Sequence, residues 1–146
     1  MNEKTVVIRP FRVENHAAAL ALWQSDPGVG LSSADEFSSI ARFLDRNPGT
    51  SFVAESEGQI VGTILCGHDG RRGLIHHLVV AKTCRRRGVG LSLLRVGLSA
   101  MQEAGIDKCH LLVFKTNEPG LAFWRAAKAV AREELALFSL STTNAA

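Results

Sequence analysis

Tyrosine is absent from these 146 residues, so no phenol can serve as an acid or base. Cysteine is scarce: Cys66, Cys84 and Cys109 are far apart and form no Cys-x-x-Cys pair. That spacing supports neither a zinc site nor a redox motif, and no metal is expected. The odd count predicts reduced thiols and a cytoplasmic setting. No apolar run approaches the length of a membrane span, and residues 1–10 lack the apolar core of a signal peptide. Aromatic residues make up only 6% of the chain and are not interleaved with the basic ones, which argues against a nucleic-acid surface.

What the sequence does contain is ordinary for a globular protein. Hydrophobic content is 46% and charged content 21%, enough to bury a core without disulfide or metal staples. The length suits one domain over 1–146, with residues 141–146 expected to fray. Net charge is +3, and much of the excess sits in Arg71, Arg72 and Arg85 to Arg87. Such clustering fits a local anion site better than a duplex-binding face, which needs several spread phosphate contacts.

Arg85-Arg86-Arg87-Gly88-Val89-Gly90 is the most telling stretch. The apolar run Leu74 to Val80 precedes it. Leu91, Leu94, Leu98 and Met101 follow at helical spacing. The glycines therefore fall where a strand hands over to a helix. Unpaired N–H groups and the helix dipole favour an anion there, and glycine lets it approach the backbone. Two familiar phosphate loops do not fit. The Gly-x4-Gly-Lys-Ser/Thr pattern is missing, and Gly-x-Gly-x-x-Gly fails because position 93 is leucine.

Periodicity and turn signals give the remaining elements. Thr5 to Arg9 reads as a strand stopped by Pro10, and Asn15 to Gln24 as a helix. Ser33-Ala34-Asp35-Glu36 reads as a capping box before a helix carrying Phe37, Ile40, Ala41 and Leu44. Strands follow over Ser51–Glu55, Gln59–Cys66 and Leu74–Val80, with turns at Glu57-Gly58 and at His68 to Gly73. The helix behind the arginine loop stops at Gly105. Lys108–Phe114 reads as a buried strand, Asn117-Glu118-Pro119 opens a last helix, and residues 132–140 read as a final strand.

The pattern Arg/Gln-x-x-Gly-x-Gly/Ala at Arg85, Gly88 and Gly90 resembles the GNAT superfamily of acyl-CoA-dependent N-acyltransferases. The element order is similar over nearly the whole chain. Asn117-x5-Phe123-Trp124 resembles a second family pattern, and Asp69 to Gly73 is similar to small bacterial members. The resemblance implies an α/β (α+β) GNAT fold. In it a mixed central sheet, splayed open at the acyl-CoA site, is flanked by about four helices. It implies acetyl-CoA as cosubstrate and a primary amine of a small molecule or a peptide as acceptor, with direct attack and no covalent enzyme intermediate. The pyrophosphate of coenzyme A would lie on Arg85, Arg86, Arg87, Gly88, Val89, Gly90, Leu91 and Ser92. Backbone groups of Leu78, Val79 and Val80 would hold pantetheine and polarise the thioester carbonyl. Asn117, Phe123 and Trp124 would complete the cofactor side.

Two expectations concern catalysis. His76 and His77 are neighbours in a strand, so alternation places them on opposite faces. One is expected to take the acceptor's proton, with His76 favoured by parity and Glu55 and Asp69 behind them. Many family members place a tyrosine where this chain has Trp124, whose indole N–H donates a hydrogen bond but delivers no proton. Ala127-Lys128-Ala129-Val130 also departs from the family's usual Gly-Phe. The missing tyrosine leaves a second reading, a domain that binds or senses acyl-CoA without catalysis. A homodimer is compatible with either reading, and neither calls for nucleic acid or membrane.

Overall fold

The structure, a computed structural model, describes residues 5–143. Five strands form a mixed sheet in the order β1-β2-β3-β4-β5. They are β1 (Val7–Pro10), β2 (Phe52–Ser56), β3 (Gln59–His68), β4 (Gly73–Val80) and β5 (Cys109–Leu111). The first four run antiparallel to their neighbours, and β5 joins β4 in parallel. The helices are α1 (His16–Gln24), α2 (Phe37–Arg46), α3 (Val89–Glu103) and α4 (Glu118–Ala126). The arrangement is the α+β mixed sheet, opening between the parallel strands β4 and β5, that the resemblance implies.

Alternation along β3 sorts the two layers. Thr63, Leu65 and Gly67 face α1 and α2: Trp23 Nε1 donates to Thr63 Oγ1 at 2.9 Å, and Phe43 lies against Gly67. Ile64 and Cys66 face α3, close to Gly97. On the α1–α2 side the core joins Phe11, Ala19, Trp23, Ile40, Val53, Leu65 and Val79. On the other side Leu93 and Met101 of α3 are fully enclosed. The β2–β3 turn puts both Glu57 (φ 51°) and Gly58 (φ 77°) in the left-handed region, the two-residue hairpin whose twist matches its strands.

Gly73 opens β4 at a point of close approach. A Cβ there would stand 2.5 Å from Met101 Cε and 2.6 Å from Cys109 Sγ. Gly73→Ala is therefore expected to lower stability by about 1–3 kcal/mol through overpacking, read as a fall in the urea midpoint at unchanged m. An unchanged midpoint would mean that α3 and β5 yield freely at this contact.

Several boundaries differ from the sequence reading. Strand β1 runs Val7–Pro10 rather than Thr5 to Arg9, with Pro10 opposite Phe52 as its last residue. The capping box lies one residue earlier: Ser32 Oγ accepts from Ala34 N–H, and Asp35 Oδ2 accepts from Ser32 N–H. It opens a 3-10 turn over Ser33–Asp35, and α2 begins only at Phe37. Phe37 itself is 56% exposed, while Ile40 takes the core position. Strand β5 is shorter than Lys108–Phe114, because its pairing with β4 stops at Ile75 and Leu111. Residues 132–140 form no strand. Leu135, Leu137, Phe138 and Leu140 in this stretch are exposed.

Contacts divide the chain into two compact units with the boundary between Phe114 and Lys115. The first holds the sheet and α1 to α3. In the second, Asn117 caps α4 by accepting from Gly120 N–H, and Pro119 occupies the first turn. Residues 141–143 of the tail expected to fray carry no helix or strand; 144–146 lie outside the described residues.

Candidate active site

The register between β3 and β4 breaks in the middle of β4. Thr63 pairs with Val79, but Leu65 pairs with His76. One residue of β3 thus faces two of β4, His77 and Leu78. This is a β-bulge, which re-aims side chains. His77 takes φ 49° there, a left-handed conformation uncommon outside glycine. The alternation expected for the two histidines does not survive it. Their ring centroids are 6.5 Å apart. His76 meets the edge of Phe43 at 6.0 Å and His77 lies 4.5 Å from Trp23. Phe43 and Trp23 belong to one core cluster, so both imidazoles sit on the α1–α2 side.

His77 is held at both ends. Its Nε2 lies 2.6 Å from Asp35 Oδ1, with side-chain exposures of 14% and 11%. In the tautomer whose Nε2 donates to Asp35, the Nδ1 lone pair is left to accept another proton. Asp35 is fixed in turn: its Oδ2 accepts from Ser32 N–H, and its backbone carbonyl is 2.7 Å from His16 Nε2. The backbone carbonyl of His77 accepts from Thr63 Oγ1 at 2.7 Å, and that hydroxyl accepts from Trp23. Strained backbone persists where its surroundings over-determine it, and such residues cluster at functional sites.

His76 has a different environment. Burial holds its pKa below the usual imidazole value; His77 nearby lowers it further, while Asp35 works the other way. The remaining base candidates are engaged elsewhere. Asp69 accepts from the N–H groups of Arg71 and Arg72, both at 2.8 Å, and these bonds hold its carboxyl below the ordinary range. Glu55 accepts from Arg9 Nε at 3.0 Å, and that bond likewise lowers its pKa. Burial pushes the Cys66 thiol up to about 12, so it offers no thiolate nucleophile.

Beyond Ile75, strand β4 runs on to Val80 with no β5 partner. Its free edge leads into the arginine loop. A short 3-10 turn over Lys82–Cys84 precedes Arg85. Arg86 (φ 65°) and Gly88 (φ 77°) are both left-handed. Gly88 is the N-cap of α3, with no side-chain cap bond. A Cβ at Gly88 would meet nothing within 4 Å, so backbone conformation rather than crowding calls for glycine. Arg86, Arg87, Leu91 and Ser92 are exposed, Gly90 is partly so, and Val89 packs into the core. Arg85 is committed to the protein: its Nε donates to the Val80 carbonyl and its NH2 pairs with Asp26 at 3.1 Å. Val79 is buried, while Leu78 and Val80 are partly exposed. In the second unit, Phe123 and Trp124 stack edge to face at 5.1 Å on α4.

Asp35 and Thr63 carry the site's geometry; the sequence reading gave Asp35 a part in a cap but no part in catalysis, and passed over Thr63. The signal for Asp35 was the spacing Ser32-x-x-Asp35, a capping pattern one step from the one recognised. For Thr63 there was none, since its partners are 40 residues before it and 14 after it.

Among the described residues no cluster of His, Cys, Asp or Glu could hold a metal ion. No helix there is long and apolar enough to cross a membrane. A parallel strand pair that parts beside an uncapped helix N-terminus is an architecture for holding a phosphate-bearing cosubstrate. Residues 16–128 match the acetyltransferase (GNAT) family. An acetyltransferase of Pectobacterium atrosepticum is 32% identical over 76% of this chain and 78% of its own length. One of Photorhabdus laumondii is 33% identical over 76% and 77%. The crystal structure of Ard1 from Thermoplasma volcanium aligns with a TM-score of 0.73 at 21% identity, over 84% of this chain and 80% of that one. An aminoglycoside acetyltransferase, AAC(6')-Iy, with bound coenzyme A aligns at 0.74 and 15% identity, over 95% and 97%. At such identities these structures show the fold. The chain belongs to the GNAT acetyltransferase family, whose members use acetyl-CoA.

Proposed function

We propose that this acetyltransferase moves an acetyl group from acetyl-CoA to a primary amine of a small molecule or a peptide, with His77 as the proton acceptor. The observation that carries the reading is the His77–Asp35 pair at the β4 bulge, beside the stretch of β4 that β5 leaves unpaired. The first turn of α3 and the exposed Arg86 and Arg87 suit a pyrophosphate, because free N–H groups, a helix dipole and two cations converge there. Arg85 acts instead as a tie between this loop and Asp26. The free edge of β4 at Leu78, Val79 and Val80 offers backbone groups for an amide-bearing pantetheine arm. Acetyl-CoA brings an activated acyl group and a thiolate able to leave.

This chain's residues then have two tasks. Binding the cosubstrate beside the amine replaces a bimolecular encounter with a positioned one. The Nδ1 of His77 takes a proton from the ammonium, directly or through one water, while Asp35 holds the ring in the required tautomer. A thiolate leaves without full protonation, so Trp124 in place of tyrosine does not forbid turnover. No nucleophilic side chain is needed.

The test is thiol release from acetyl-CoA with a panel of polyamines, aminoglycosides and peptides with free N-termini or lysines. At least one acceptor is expected to raise the rate about 100-fold or more above the acceptor-free control, the scale typical of general-base assistance. Tight binding of acetyl-CoA without acceptor-dependent release across the panel would instead support a sensing domain.

A further inference from the structure

The loop that follows α1 touches both lips of the opening in the sheet. Strands β4 and β5 part after Ile75 and Leu111. On the β4 side, Arg85 NH2 donates to Asp26 Oδ2 at 3.1 Å, and Arg85 Nε donates to the Val80 carbonyl at the end of the strand. On the β5 side, Gly30 lies against the ring of Phe114: a Cβ there would stand 2.8 Å from Cζ. Residues 26–30 therefore bridge from one lip to the other.

Asp26 is locally disfavoured where it stands. It follows α1 closely, the last turn of that helix carries no basic side chain, and the dipole at a helix C-terminus repels a carboxylate. Its two oxygens hold different partners. Oδ1 accepts from Gly28 N–H at 2.8 Å, a turn that asparagine and aspartate side chains make with their own backbone. Oδ2 takes Arg85. The Asp26 N–H donates to the Trp23 carbonyl, and the Trp23 side chain reaches Thr63 and the His77 ring. Bonds and packing thus run without a break from the arginine loop to the imidazole.

We infer that Asp26 is a positioning residue for acetyl transfer. By pairing with Arg85 it makes residues 26–30 a crosspiece that sets the width of the opening, and it leaves Arg86 and Arg87 to the pyrophosphate. The inference rests on the reading of the arginine loop as the coenzyme A site. Charge alone predicts the opposite sign of effect. If the Asp26 carboxylate only repelled the cosubstrate, Asp26→Asn would tighten binding. A crosspiece predicts weaker binding. Asparagine keeps an acceptor for Gly28 N–H and loses the charge that holds Arg85, so the substitution isolates that link.

Calorimetric titration of the full chain with coenzyme A tests this in a double-mutant cycle. Asp26→Asn and Arg85→Gln are each expected to raise Kd about 5-fold, and the double variant no further than either alone. Hydrogen exchange should show coenzyme A protecting the amides of 28–30 in wild type and not in Asp26→Asn, with circular dichroism unchanged. If wild type binds and Asp26→Asn binds as tightly or more tightly, the crosspiece alone is overturned. Additive losses in the double variant overturn it too, since Arg85 would then meet the pyrophosphate independently of Asp26. If wild type does not bind coenzyme A, the assignment of the loop falls and this inference with it.

Discussion

Gly88→Asp is expected to abolish measurable binding of coenzyme A by calorimetry while the protein still folds. The substitution acts in two ways that can be separated. At φ 77° a side chain pays for the left-handed conformation, about 1–2 kcal/mol for an ordinary L-residue and less for aspartate, whose short polar group tolerates that region. The room around the missing Cβ is open, so no clash adds to this. The fold should therefore survive with a modestly lower melting temperature. Binding should not, because a carboxylate then stands at the uncapped start of α3, where a pyrophosphate would need the same N–H groups. Gly88→Ala separates the effects: it carries the conformational cost without the charge and should keep most of the affinity. Gly90→Asp should resemble Gly88→Asp, since it too puts charge in the first turn. Unchanged affinity in both aspartate variants would move the cosubstrate away from this loop.

Much of this architecture was legible in the sequence, and the reasons are local. The hairpin at Glu57-Gly58, the glycine stop at Gly105 and the asparagine cap of α4 are each written in two or three residues. The arginine loop is legible because glycine and cation spacing at a strand-to-helix junction is itself the chemistry. What escaped depends on distant partners. The β4 bulge leaves no mark in the string His76-His77-Leu78; it becomes visible only when Thr63 and Leu65 are set opposite Val79 and His76. Parity counting back from Arg85 assumed a regular strand, and one extra residue cancels it. The pairing of Arg85 with Asp26 is hidden in the same way, because the two are 59 positions apart. The final strand was inferred from composition that is present. A strand also needs a paired neighbour, which composition does not specify.

His77→Ala is expected to lower kcat/KM about 100-fold or more near neutral pH, with coenzyme A affinity close to wild type. The loss should be largest at low pH, where an unassisted amine is almost wholly protonated. It should shrink as pH rises toward the amine's own pKa. Added imidazole should restore part of the rate in His77→Ala, which a purely structural histidine would not allow. Asp35→Asn should lower kcat more than it raises KM, because Asp35 positions the ring without touching substrate. His76 makes a contrasting prediction through stability. Burial depresses its pKa from the ordinary value of 6.5, so over the window below 6.5 the unfolded chain binds more protons than the folded one. Stability therefore falls as pH drops through that window and levels off below the folded pKa. His76→Gln should flatten this part of the melting-temperature profile and leave the imidazole rescue of His77→Ala intact. If His76→Ala instead removes the acidic limb of kcat/KM and His77→Ala spares it, the roles are exchanged. The Asp35–His77 pair would then serve only to pin the bulge.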